Sequence, residues 1–491
     1  MEMEKIIELA KRRGFFITSS EIYGGFAGFY DYGSTGTLLK RKIEKMWKHY
    51  FLGLSNNFFE IETSYIMPEK VFEASGHLVN FVDPVAKCKK CGKYHRADHI
   101  MEEYLKENFE GMSAKELTES IKKHKIKCPK CKGELAEVKV LNLMFPLTIG
   151  AASGTQAYLR PETAQGAYVN FLRHFNIHRN KLPLGLAIVG RAFRNEISPR
   201  QGLIRQREFT QAELQIFFDP KTVDEHERWD EVKNYKLLLY PYQEKDRKIV
   251  EISCEQAVSK FKLPKFYVYH LAKVQQFFLD NFNIPREKFR FRELSAEERA
   301  FYNKIHFDAE VFLPGLGEFK EIAGVHYRTD HDLSGHQKVS KQSHEIFFNG
   351  KRFVPHVLEL TAGIDRIFYM LLELSYKDDK ERGWEWFDFP ANLAPYAVAV
   401  FPLVSKDKMP EKAQEIYKNL WNYFYVFYDE SGSIGKRYAR ADEIGTPFAI
   451  TVDHQSLEDD TVTVRERNTT KQERVKIQDL VQVIQKKLKP I

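Results

Sequence analysis

A chain of 491 residues exceeds the size that one hydrophobic core usually supports, so we expect two to four domains. Its composition, 43% hydrophobic and 29% charged, is typical of globular proteins, and no apolar run approaches the roughly 18 residues of a membrane-spanning helix. The net charge of +7 is small for this length, which excludes a uniformly basic nucleic-acid-binding protein.

The first segments of the chain predict a helical start. Residues 1–16 are charged and amphipathic and lack the apolar core and cleavage site of a signal peptide, so we expect a cytoplasmic protein without membrane association. In segment 34–51, Leu39 and Ile43 begin a helical apolar repeat with lysines opposite. This pattern predicts a long helix with a Ser/Thr cap, followed by a strand that ends at Pro68. An apolar stripe this wide fits either a core or a dimer interface.

Four of the five cysteines form two C-x-x-C pairs, Cys88 with Cys91 and Cys128 with Cys131. In a reducing compartment this spacing predicts a tetrahedral zinc site, which is structural because four thiolates leave no position for a substrate. The alternative is a degenerate site that has lost its metal. Residues 87–132 also hold 13 Lys and Arg against 7 Asp and Glu, which favours a polyanionic partner such as nucleic acid. On charge alone, a solvated lysine-rich helix fits equally well.

Residues 141–190 carry strand and turn signals, and a charged hairpin follows them. The alternation in 185–196 and 205–218 predicts two antiparallel strands joined by a loop at 197–204. Alternate positions of a strand share one face. The pattern therefore predicts a common face for the side chains of Arg205, Arg207, Phe209, Gln211 and Glu213.

The second half of the chain predicts further mixed structure. Residues 220–305 are rich in aromatics and lysine and predict an inserted helical or mixed region, with helical periods at 230–243 and 269–282. Strand patterns return near 306–330, and a helix is predicted after a turn that ends at Gly363. Beyond these, strands and helices alternate for about 100 residues, which predicts a separate α/β domain.

Three segments, in this order, resemble the signature motifs of the class II aminoacyl-tRNA synthetases. They are the helix and strand of 34–68, the charged hairpin, and "GIDRIFYMLL" at 363–372. More specific stretches, among them "ASGHLVNFVDP", "LRPETAQG" and "DESGSIGKRYARADEIGTPFAITVD", resemble the glycyl-tRNA synthetases of the homodimeric type, in subclass IIa. The resemblance covers nearly the whole chain.

Three segments depart from the family pattern. Ser34 replaces a usual proline, Leu360 and Thr361 replace a usual Pro-Ser pair, and Lys436 replaces a common arginine. Thr361 keeps a hydroxyl in the expected pocket, but the lost proline loosens the backbone there. This change puts glycine affinity in doubt, not the type of reaction.

The resemblance implies an α+β fold with a class II catalytic domain, whose antiparallel sheet is flanked by helices. It also implies a zinc-binding insertion and a C-terminal α/β anticodon-binding domain. The expected parts are the catalytic domain with motif 1 at 1–85, the basic zinc-binding insertion at 86–140, the catalytic domain with motif 2 at 141–219, an insertion at 220–305, the catalytic domain with motif 3 at 306–390, and the anticodon-binding domain at 391–491.

The implied function is that of a ligase acting on glycine, ATP and tRNA(Gly). Such an enzyme activates glycine to glycyl-adenylate and transfers it to the 3′ end of the tRNA, with Mg²⁺ on the ATP, structural Zn²⁺ and a homodimeric assembly. Two alternatives stay open: a class II synthetase for Ser, Thr or Pro, and a non-catalytic accessory protein that binds nucleic acid. Relatives of the second kind lose the phosphate-binding arginines, which this chain keeps.

The resemblance also assigns residues to the site. The implied catalytic residues are Arg194, Glu321 and Arg366. The implied ATP-binding residues are Arg194, Asn195, Glu196, Ile204, Arg205, Gln206, Arg207, Glu208, Phe209, Glu321, Ile322, Gly363, Ile364, Asp365 and Arg366. The implied glycine-binding residues are Arg96, Glu162, Phe209, Thr210, Gln211, Ala212, Glu213, Glu359, Leu360, Thr361, Ala362 and Gly363.

Within the implied ATP site, Arg194 contacts the α-phosphate, Glu196 the adenine amino group and Arg366 the γ-phosphate, while Glu321 holds magnesium and Phe209 stacks on adenine. Arg205 and Arg207 are implied to reach the phosphates as well. Arginine suits these tasks because its planar fork holds a phosphate in a fixed direction.

In the implied glycine site, Glu162, Glu213 and Glu359 bind the ammonium group, and Thr361 lies near the α-carbon. Arg96 is implied to lie near the substrate. The alternative for the glutamates is that they only pair with arginines of the hairpin.

RNA contacts are expected in two places. Residues 391–491 hold 15 Lys and Arg against 14 Asp and Glu, so any RNA binding there must be local. The candidates are arginines assisted by aromatic stacking on unpaired bases, namely Arg437, Arg440, Arg465 and Arg467. The lysines of the zinc segment, Lys122, Lys123 and Lys125, are candidates for the acceptor arm, and the hairpin loop is expected to meet the tRNA end.

Overall fold

The computed structural model of the protein describes residues 2–105, 107, 109, 112–151, 154–197, 199, 202–242, 248–296, 298–300 and 302–488. The N-terminal part contains α1 (Glu2–Arg12), β1 (Phe16–Thr18), β2 (Tyr30–Tyr32), α2 (Ser34–Leu52), β3 (Phe58–Glu60), β4 (Ile66–Pro68), α3 (Glu69–Ala74), α4 (His77–Asn80), β5 (Val82–Lys87), β6 (Tyr94–Arg96), α5 (Ala97–Leu105), α6 (Ala114–Lys123), β7 (Lys139–Asn142), β8 (Phe145–Ile149), β9 (Thr155–Leu159) and α7 (Ala164–Ile177).

The middle of the chain contains β10 (Leu184–Phe193), β11 (Glu208–Phe218), β12 (Lys236–Tyr240), β13 (Val250–Ser253), α8 (Cys254–Phe261), α9 (Lys265–Asn281), β14 (Phe289–Glu293), β15 (Ile305–Leu313), β16 (Glu318–Thr329), α10 (His331–Ser340), β17 (Ile346–Phe348), β18 (Lys351–Phe353), β19 (His356–Gly363), α11 (Ile364–Ser375), β20 (Tyr376–Asp379) and β21 (Trp384–Phe387). The C-terminal part contains β22 (Val398–Pro402), α12 (Met409–Trp421), β23 (Val426–Tyr428), α13 (Ile434–Glu443), β24 (Phe448–Val452), α14 (His454–Asp459), β25 (Thr461–Glu466), β26 (Gln472–Lys476) and α15 (Leu480–Lys487).

A nine-stranded sheet forms the centre of the molecule, in the order β13-β12-β14-β15-β16-β19-β11-β10-β3. Its pairs are antiparallel except for β12 with β14 and β10 with β3. Helices α2, α9 and α11 pack on this sheet, and their apolar residues join those of the strands in one large core. The expected α+β fold with an antiparallel catalytic sheet and flanking helices is therefore confirmed.

The charged hairpin is confirmed as the antiparallel pair β10–β11, but its strands are shorter than predicted. Pairing runs from Leu184 opposite Phe217 to Phe193 opposite Glu208. Arg194 therefore follows the first strand, and the residues up to 207 belong to the connection between the strands. The predicted strands were too long because the backbone leaves the β10–β11 ladder here: Asn195 N–H donates to the Leu143 carbonyl and Arg207 N–H donates to the Gly28 carbonyl.

Helix α2 confirms the prediction for segment 34–51, although its predicted cap is wrong. Gly33 occupies the cap position and makes no side-chain bond. A Cβ atom there would lie 2.4 Å from the Gly14 carbonyl oxygen, so close backbone contact requires glycine. Leu39 and Ile43 are fully buried in the core, which resolves the apolar stripe as a core face. The strand predicted up to Pro68 is split, because β4 leaves the central sheet and pairs with β9.

Two other sequence predictions differ from the structure. Segment 164–177 forms helix α7, whereas only strand and turn signals were assigned to it; Phe171 and Phe175 face the core there with helical spacing. The helix predicted at 230–243 is wrong, because Lys236–Tyr240 forms strand β12. Together with β13 and β14 this strand extends the central sheet, so the expected inserted region contributes strands to the core. Helix α9 confirms the second helical period.

Two smaller bodies complete the fold. The cysteine-containing segment has a three-stranded sheet, β6-β5-β7, and a small core of its own with α5 and α6. The C-terminal part has the sheet β23-β22-β24-β25-β26, whose first three strands are parallel and whose last two are antiparallel. The expected α/β domain is thus confirmed. No helix in the described ranges has the length and apolar character needed to cross a membrane.

Candidate active site

A cavity of about 260 Å³ lies over the central sheet, and the three residues expected to be catalytic, Arg194, Glu321 and Arg366, all line it. Most of the expected substrate-binding residues line it too: Glu162, Glu196, Ile204, Arg205, Gln206, Phe209, Thr210, Gln211, Glu213, Glu359, Thr361, Gly363 and Asp365. Strands β11, β19 and β16 are neighbours in the sheet, which brings residues from distant parts of the sequence together. The order of the strands in the sheet therefore creates the pocket.

Several expected residues have side chains elsewhere. Those that do not line the cavity are Arg96, Asn195, Arg207, Glu208, Ala212, Ile322, Leu360, Ala362 and Ile364. Ala212, Leu360 and Ala362 alternate with cavity residues along their strands, and they enter the core on the opposite face, as does Ile322. The assignment of these residues to substrate binding stays a prediction.

Arg207 does not share a face with Phe209. Its guanidinium donates to the carbonyl oxygens of Ala27 at 3.0 Å and Glu196 at 2.9 Å. The prediction of a common face was wrong for this side chain because Arg207 precedes β11, where strand alternation does not apply. Arg96 is similarly engaged, since it pairs with Asp83 at 3.2 Å and also with Asp98.

Arg194 and Phe209 form one end of the cavity. The guanidinium carbon of Arg194 lies 5.2 Å from the centroid of the Phe209 ring, and its Nε donates to the Pro161 carbonyl at 3.0 Å. Glu196 is nearly buried and accepts a hydrogen bond from Arg205 Nε at 2.6 Å. A charge-assisted bond of this kind fixes the position of a carboxylate. Ser198, Arg200 and Gln201, in the loop expected to meet the tRNA end, lie outside the described residues.

Arg366 and Glu321 form an ion pair on the cavity wall. Arg366 Nη1 lies 3.0 Å from Glu321 Oε2, and Arg366 Nε donates to the Ile204 carbonyl at 3.2 Å. Glu321 raises the pKa of Arg366, and Arg366 in turn outweighs the effect of burial and lowers the pKa of Glu321. Arg366 lies in the first turn of α11, where the helix dipole adds positive potential.

Glu213 lies at the other end of the cavity and is almost fully buried. Its carboxylate accepts hydrogen bonds from Thr163 at 2.6 Å and Thr361 at 3.3 Å. Burial, with Glu359 and Glu162 nearby, raises the pKa of Glu213 to about 8. The hairpin arginines 194, 205 and 207 bond elsewhere, which contradicts the alternative that Glu213 only pairs with them.

Sequence reasoning missed Arg328, which is fully buried beneath this end of the cavity. Its guanidinium bonds to Glu162 at 3.3 Å, Glu359 at 2.9 Å and Asp332 at 2.9 Å. Burial alone would raise the pKa of Glu359, but Arg328 lowers it to about 2. The available signal was strand alternation, since positions 324, 326 and 328 of β16 share one face.

A row of polar side chains crosses the sheet beside this cluster. His306 lies opposite His326 on β15 and β16, and His326 lies opposite Glu359 on β19. His306 Nε2 is 2.8 Å from Asp308 Oδ1, and His326 Nδ1 is 2.7 Å from Glu359 Oε1. Burial lowers the pKa of His326, which keeps this imidazole neutral near pH 7. Of these four residues, only Glu359 was singled out from the sequence.

The four cysteines of the two C-x-x-C pairs converge, and their sulfur atoms all lie within 4.8 Å of one another. Cys88 Sγ is 3.5 Å from Cys131 Sγ, and Cys91 Sγ is 3.8 Å from Cys128 Sγ. A tetrahedron with Zn–S bonds of about 2.3 Å has sulfur atoms about 3.8 Å apart. The geometry fits zinc. Cys254 is a buried core residue, as expected.

The arginines expected to contact RNA in the C-terminal domain are mostly structural. Arg437 is buried and donates to the carbonyls of Pro402 and Gly432. Arg465 is buried against Asp442, with N–O distances of 2.9 and 3.0 Å. The remaining two are paired as well, Arg440 with Asp429 and Arg467 with Asp388. Exposed aromatic side chains are nevertheless present on this domain, at Trp421, Tyr423 and Tyr425.

Two protein-family models match the chain. A model described as the tRNA synthetase class II core domain (G, H, P, S and T) matches residues 149–375. A model described as an anticodon binding domain matches residues 397–487. The first match contains the whole cavity-forming part of the sheet from β10 to β19, and the second coincides with the C-terminal α/β domain.

Full-length relatives agree with these matches. The glycine–tRNA ligase of Pyrococcus furiosus is 44% identical over an alignment of 558 positions, gaps included, which covers 97% of both chains. The glycine–tRNA ligase of Pyrococcus horikoshii is 43% identical with the same coverage. That of Methanocaldococcus jannaschii is 40% identical and covers 99% of each chain.

Proposed function

The chain belongs to the glycine–tRNA ligase family of class II aminoacyl-tRNA synthetases, and we propose that the cavity over its central sheet is where glycine and ATP react. The protein is a ligase that uses ATP and Mg²⁺ to attach glycine to its tRNA. In the first step the glycine carboxylate attacks the α-phosphorus of ATP and pyrophosphate leaves. In the second step the terminal ribose hydroxyl of the tRNA attacks the resulting anhydride, and AMP leaves.

We propose that ATP lies along the end of the cavity formed by Arg194, Phe209 and Arg366. Arg194 would contact the α-phosphate, and the Phe209 ring beside it would stack on adenine. Arg366 would bind the γ-phosphate, and Glu321 would hold the Mg²⁺. The present Arg366–Glu321 ion pair would then open as each group takes its substrate partner. Fixed positive groups around a reacting phosphate supply most of the catalysis in such reactions.

The remaining ATP assignments need rearrangement. Glu196 would accept from the adenine amino group, but it now accepts from Arg205, so Arg205 must turn toward the phosphates first. Arg207 holds two loop carbonyls, which supports a role in positioning the loop and not in direct phosphate contact.

We propose that glycine binds at the opposite end, with its ammonium group among the carboxylates of Glu162, Glu213 and Glu359. Arg328 would hold two of these carboxylates ionised and in place. Thr361 would lie against the α-carbon, where any side chain would clash. A steric wall can exceed the ~1–3 kcal/mol of discrimination that apolar contacts alone provide.

The observation that carries this proposal is that Arg194, Glu321, Arg366 and the buried carboxylates line one cavity. ATP–pyrophosphate exchange without tRNA tests it, with Gly, Ala, Ser, Thr and Pro offered separately. We expect exchange with glycine alone, and at least a hundredfold loss in Arg366→Ala. Exchange with Ser, Thr or Pro would indicate another class II specificity. No exchange from folded protein would indicate the accessory role.

We propose that Cys88, Cys91, Cys128 and Cys131 hold one structural Zn²⁺, supported by the spacing of their sulfur atoms. The metal content of the purified chain should be one zinc per polypeptide. Cys128→Ser should lower it severalfold, whereas Cys254→Ser, at a buried cysteine far from the cluster in sequence, should leave it unchanged. Equal zinc in both variants would contradict the assignment.

We propose that the basic helix α6 contacts the acceptor arm of the tRNA. Lys122 and Lys123 are exposed at the end of α6 and Lys125 is exposed just after it, and Lys122 pairs with Glu137 at 3.3 Å on the surface. Replacing the three lysines with Ala should raise the KM for tRNA severalfold because each removes a phosphate-attracting charge. Pyrophosphate exchange should not change. An unaltered KM would remove this surface from the tRNA path.

We infer a homodimer, which sedimentation would report as twice the 57.6 kDa chain mass.

We infer a cytoplasmic enzyme, since four thiols arranged for metal require a reducing compartment, and cell fractionation would test this. The domain limits near residues 85, 140, 219, 305 and 390 could be tested by limited proteolysis.

A further inference from the structure

On the wall of the cavity beside the glycine end, we propose that His306, Asp308 and His326 bind a divalent transition-metal ion of the kind that takes imidazole nitrogen and carboxylate oxygen. One ligand atom from each residue lies within 4.8 Å of the other two. Two imidazoles and one carboxylate form a donor set that suits Mn²⁺, Fe²⁺, Co²⁺ or Zn²⁺. This site is separate from the four cysteines, and it does not include Glu321, the residue proposed above to hold the Mg²⁺ of ATP.

The register of β15 and β16 creates the cluster. His306 lies directly opposite His326, and Asp308 lies directly opposite Gly324, so all three ligands stand on the same face of the sheet. A Cβ atom on residue 324 would lie 2.3 Å from His326 Nε2. Because residue 324 is glycine, there is space for the imidazole of His326 to lie over the sheet. Its Nε2 then lies above Gly324, the residue directly opposite Asp308.

The outer nitrogen of His326 faces the kind of partner that metal-binding histidines usually have. His326 Nδ1 lies 2.7 Å from Glu359 Oε1, although the angle between them does not make a hydrogen bond. A turn of the ring that aligned Nδ1–H with this carboxylate would leave the lone pair of Nε2 on the side of the cluster. A carboxylate behind a ligating imidazole fixes its tautomer and orientation in this way.

His306 shows a similar arrangement through Asn303. His306 Nδ1 lies 3.3 Å from Asn303 Nδ2, while Asn303 Oδ1 is buried without a hydrogen-bond partner among the described residues. Turning the Asn303 amide by 180° lets Oδ1 accept from His306 Nδ1–H. His306 Nε2 then presents a lone pair to Asp308 Oδ1 at 2.8 Å. Two facing acceptors require a cation or a proton between them.

The surroundings favour a cation. Asp308, Glu321 and Glu359 all line this part of the cavity, where Arg366 pairs with Glu321 and the buried Arg328 pairs with Glu359. Three protein ligands leave coordination positions that face the cavity, where a ligand oxygen or water would complete the shell. Mg²⁺ prefers an all-oxygen set, which makes the two imidazoles selective against it.

Mn²⁺ alone, without ATP, glycine or tRNA, tests the proposal, because Mn²⁺ prefers nitrogen and oxygen ligands and competes poorly for thiolates. Crystals of the full chain soaked in Mn²⁺ should show one anomalous peak between the two His Nε2 atoms and Asp308. Equilibrium dialysis should show one Mn²⁺ whose affinity falls at least tenfold in His326→Ala and in Asp308→Asn. His178→Ala, a histidine stacked on Phe59 outside the cavity, should bind as the wild type does.

A second variant separates metal binding from damage to the fold. Asn303→Ser removes only the outer partner of His306, and we expect affinity to fall about 10- to 100-fold. The absence of an anomalous peak at the cluster, or equal Mn²⁺ affinity in wild type and all variants, overturns the site. Because no substrate is present, this result is independent of the proposed aminoacylation function.

Discussion

At the scale of single residues, burial and neighbouring charge decide the ionisation of the glycine-end carboxylates. Glu359 and Glu162 share the guanidinium of Arg328, which lowers the pKa of both. Glu213 lacks such a pair, so burial and the two neighbouring carboxylates raise its pKa to about 8. Three chemically identical side chains within one cavity therefore differ in charge near pH 7.

This difference predicts a pH dependence of glycine binding. Below pH 8 Glu213 is mostly protonated, and the carboxylate that attracts an ammonium group forms as the pH rises. The KM for glycine in pyrophosphate exchange should fall up to about tenfold between pH 7 and pH 9. In Glu213→Gln the KM should be higher and should not show this fall. Parallel pH profiles for the two proteins would contradict the assignment.

The same shift makes a prediction about stability. The pKa of Glu213 is about 8 in the folded chain against an ordinary value of 4.5, so unfolding releases its proton between these pH values. The contribution of Glu213 to stability is greatest below pH 4.5 and is lost as the pH rises through 8. Relative to Glu213→Gln, the thermal midpoint of the wild type should therefore decrease from pH 5 to pH 8. An increase would show that the sign is wrong.

At the scale of elements, close backbone contact fixes the position of helix α2. Gly36 lies inside this helix, and a Cβ atom there would be 1.8 Å from the Phe15 carbonyl oxygen. The helix therefore approaches the turn after α1 at a distance that only glycine permits. Its buried stripe then packs on the central sheet beneath the hairpin.

This contact reverses the usual effect of alanine in a helix. Replacing a helical glycine with alanine normally stabilises by about 1 kcal/mol. We expect Gly36→Ala to destabilise by several kcal/mol because two backbone segments must separate. Gly435→Ala provides the control, since the position lies in helix α13 and no atom lies within 4 Å of its added Cβ. Thermal unfolding should show a lower midpoint only for Gly36→Ala.

At the scale of the whole molecule, ion pairs join the C-terminal domain to the end of helix α1 and to the segment before the domain. Glu443 on α13 accepts from Arg13 Nε at 2.5 Å and Arg12 at 3.1 Å. Arg467 reaches back to Asp388, which precedes the C-terminal domain. Glu443 and Arg467 therefore link this domain to the end of α1 and to the segment that precedes the domain.

Weakening the contacts between the C-terminal domain and α1 should reduce tRNA charging more than it reduces glycine activation. Glu443→Ala removes the partner of Arg12 and Arg13, so the anticodon-binding domain is held less firmly. We expect kcat/KM for tRNA to fall about threefold to tenfold, while pyrophosphate exchange changes less than twofold. The exposed Glu458→Ala, on α14, is the matched control. A loss of exchange equal to the loss of charging would contradict a role in domain orientation.

Sequence periodicity and motif order were sufficient for much of this architecture. Four predictions were correct: the helix at 34–51, the hairpin of Glu213, the α/β domain and the convergence of the four cysteines. Each depends on local spacing or on a resemblance carried by contiguous residues. The elements that failed were those decided by distant partners. Lys236–Tyr240 forms a strand because its backbone pairs with β13 on one side and β14 on the other.

The sequence by itself determined the family, the reaction class and most residues of the cavity, since their chemical types and order suffice for recognition. Only the tertiary structure decided which charges meet. Arg328 joined Glu162 and Glu359, and His306 came to lie opposite His326, because strand pairing places them together. Arg437 and Arg465, expected at RNA, were instead buried against carbonyls and Asp442. Burial and pairing depend on the whole fold, and no local pattern of residues specifies them.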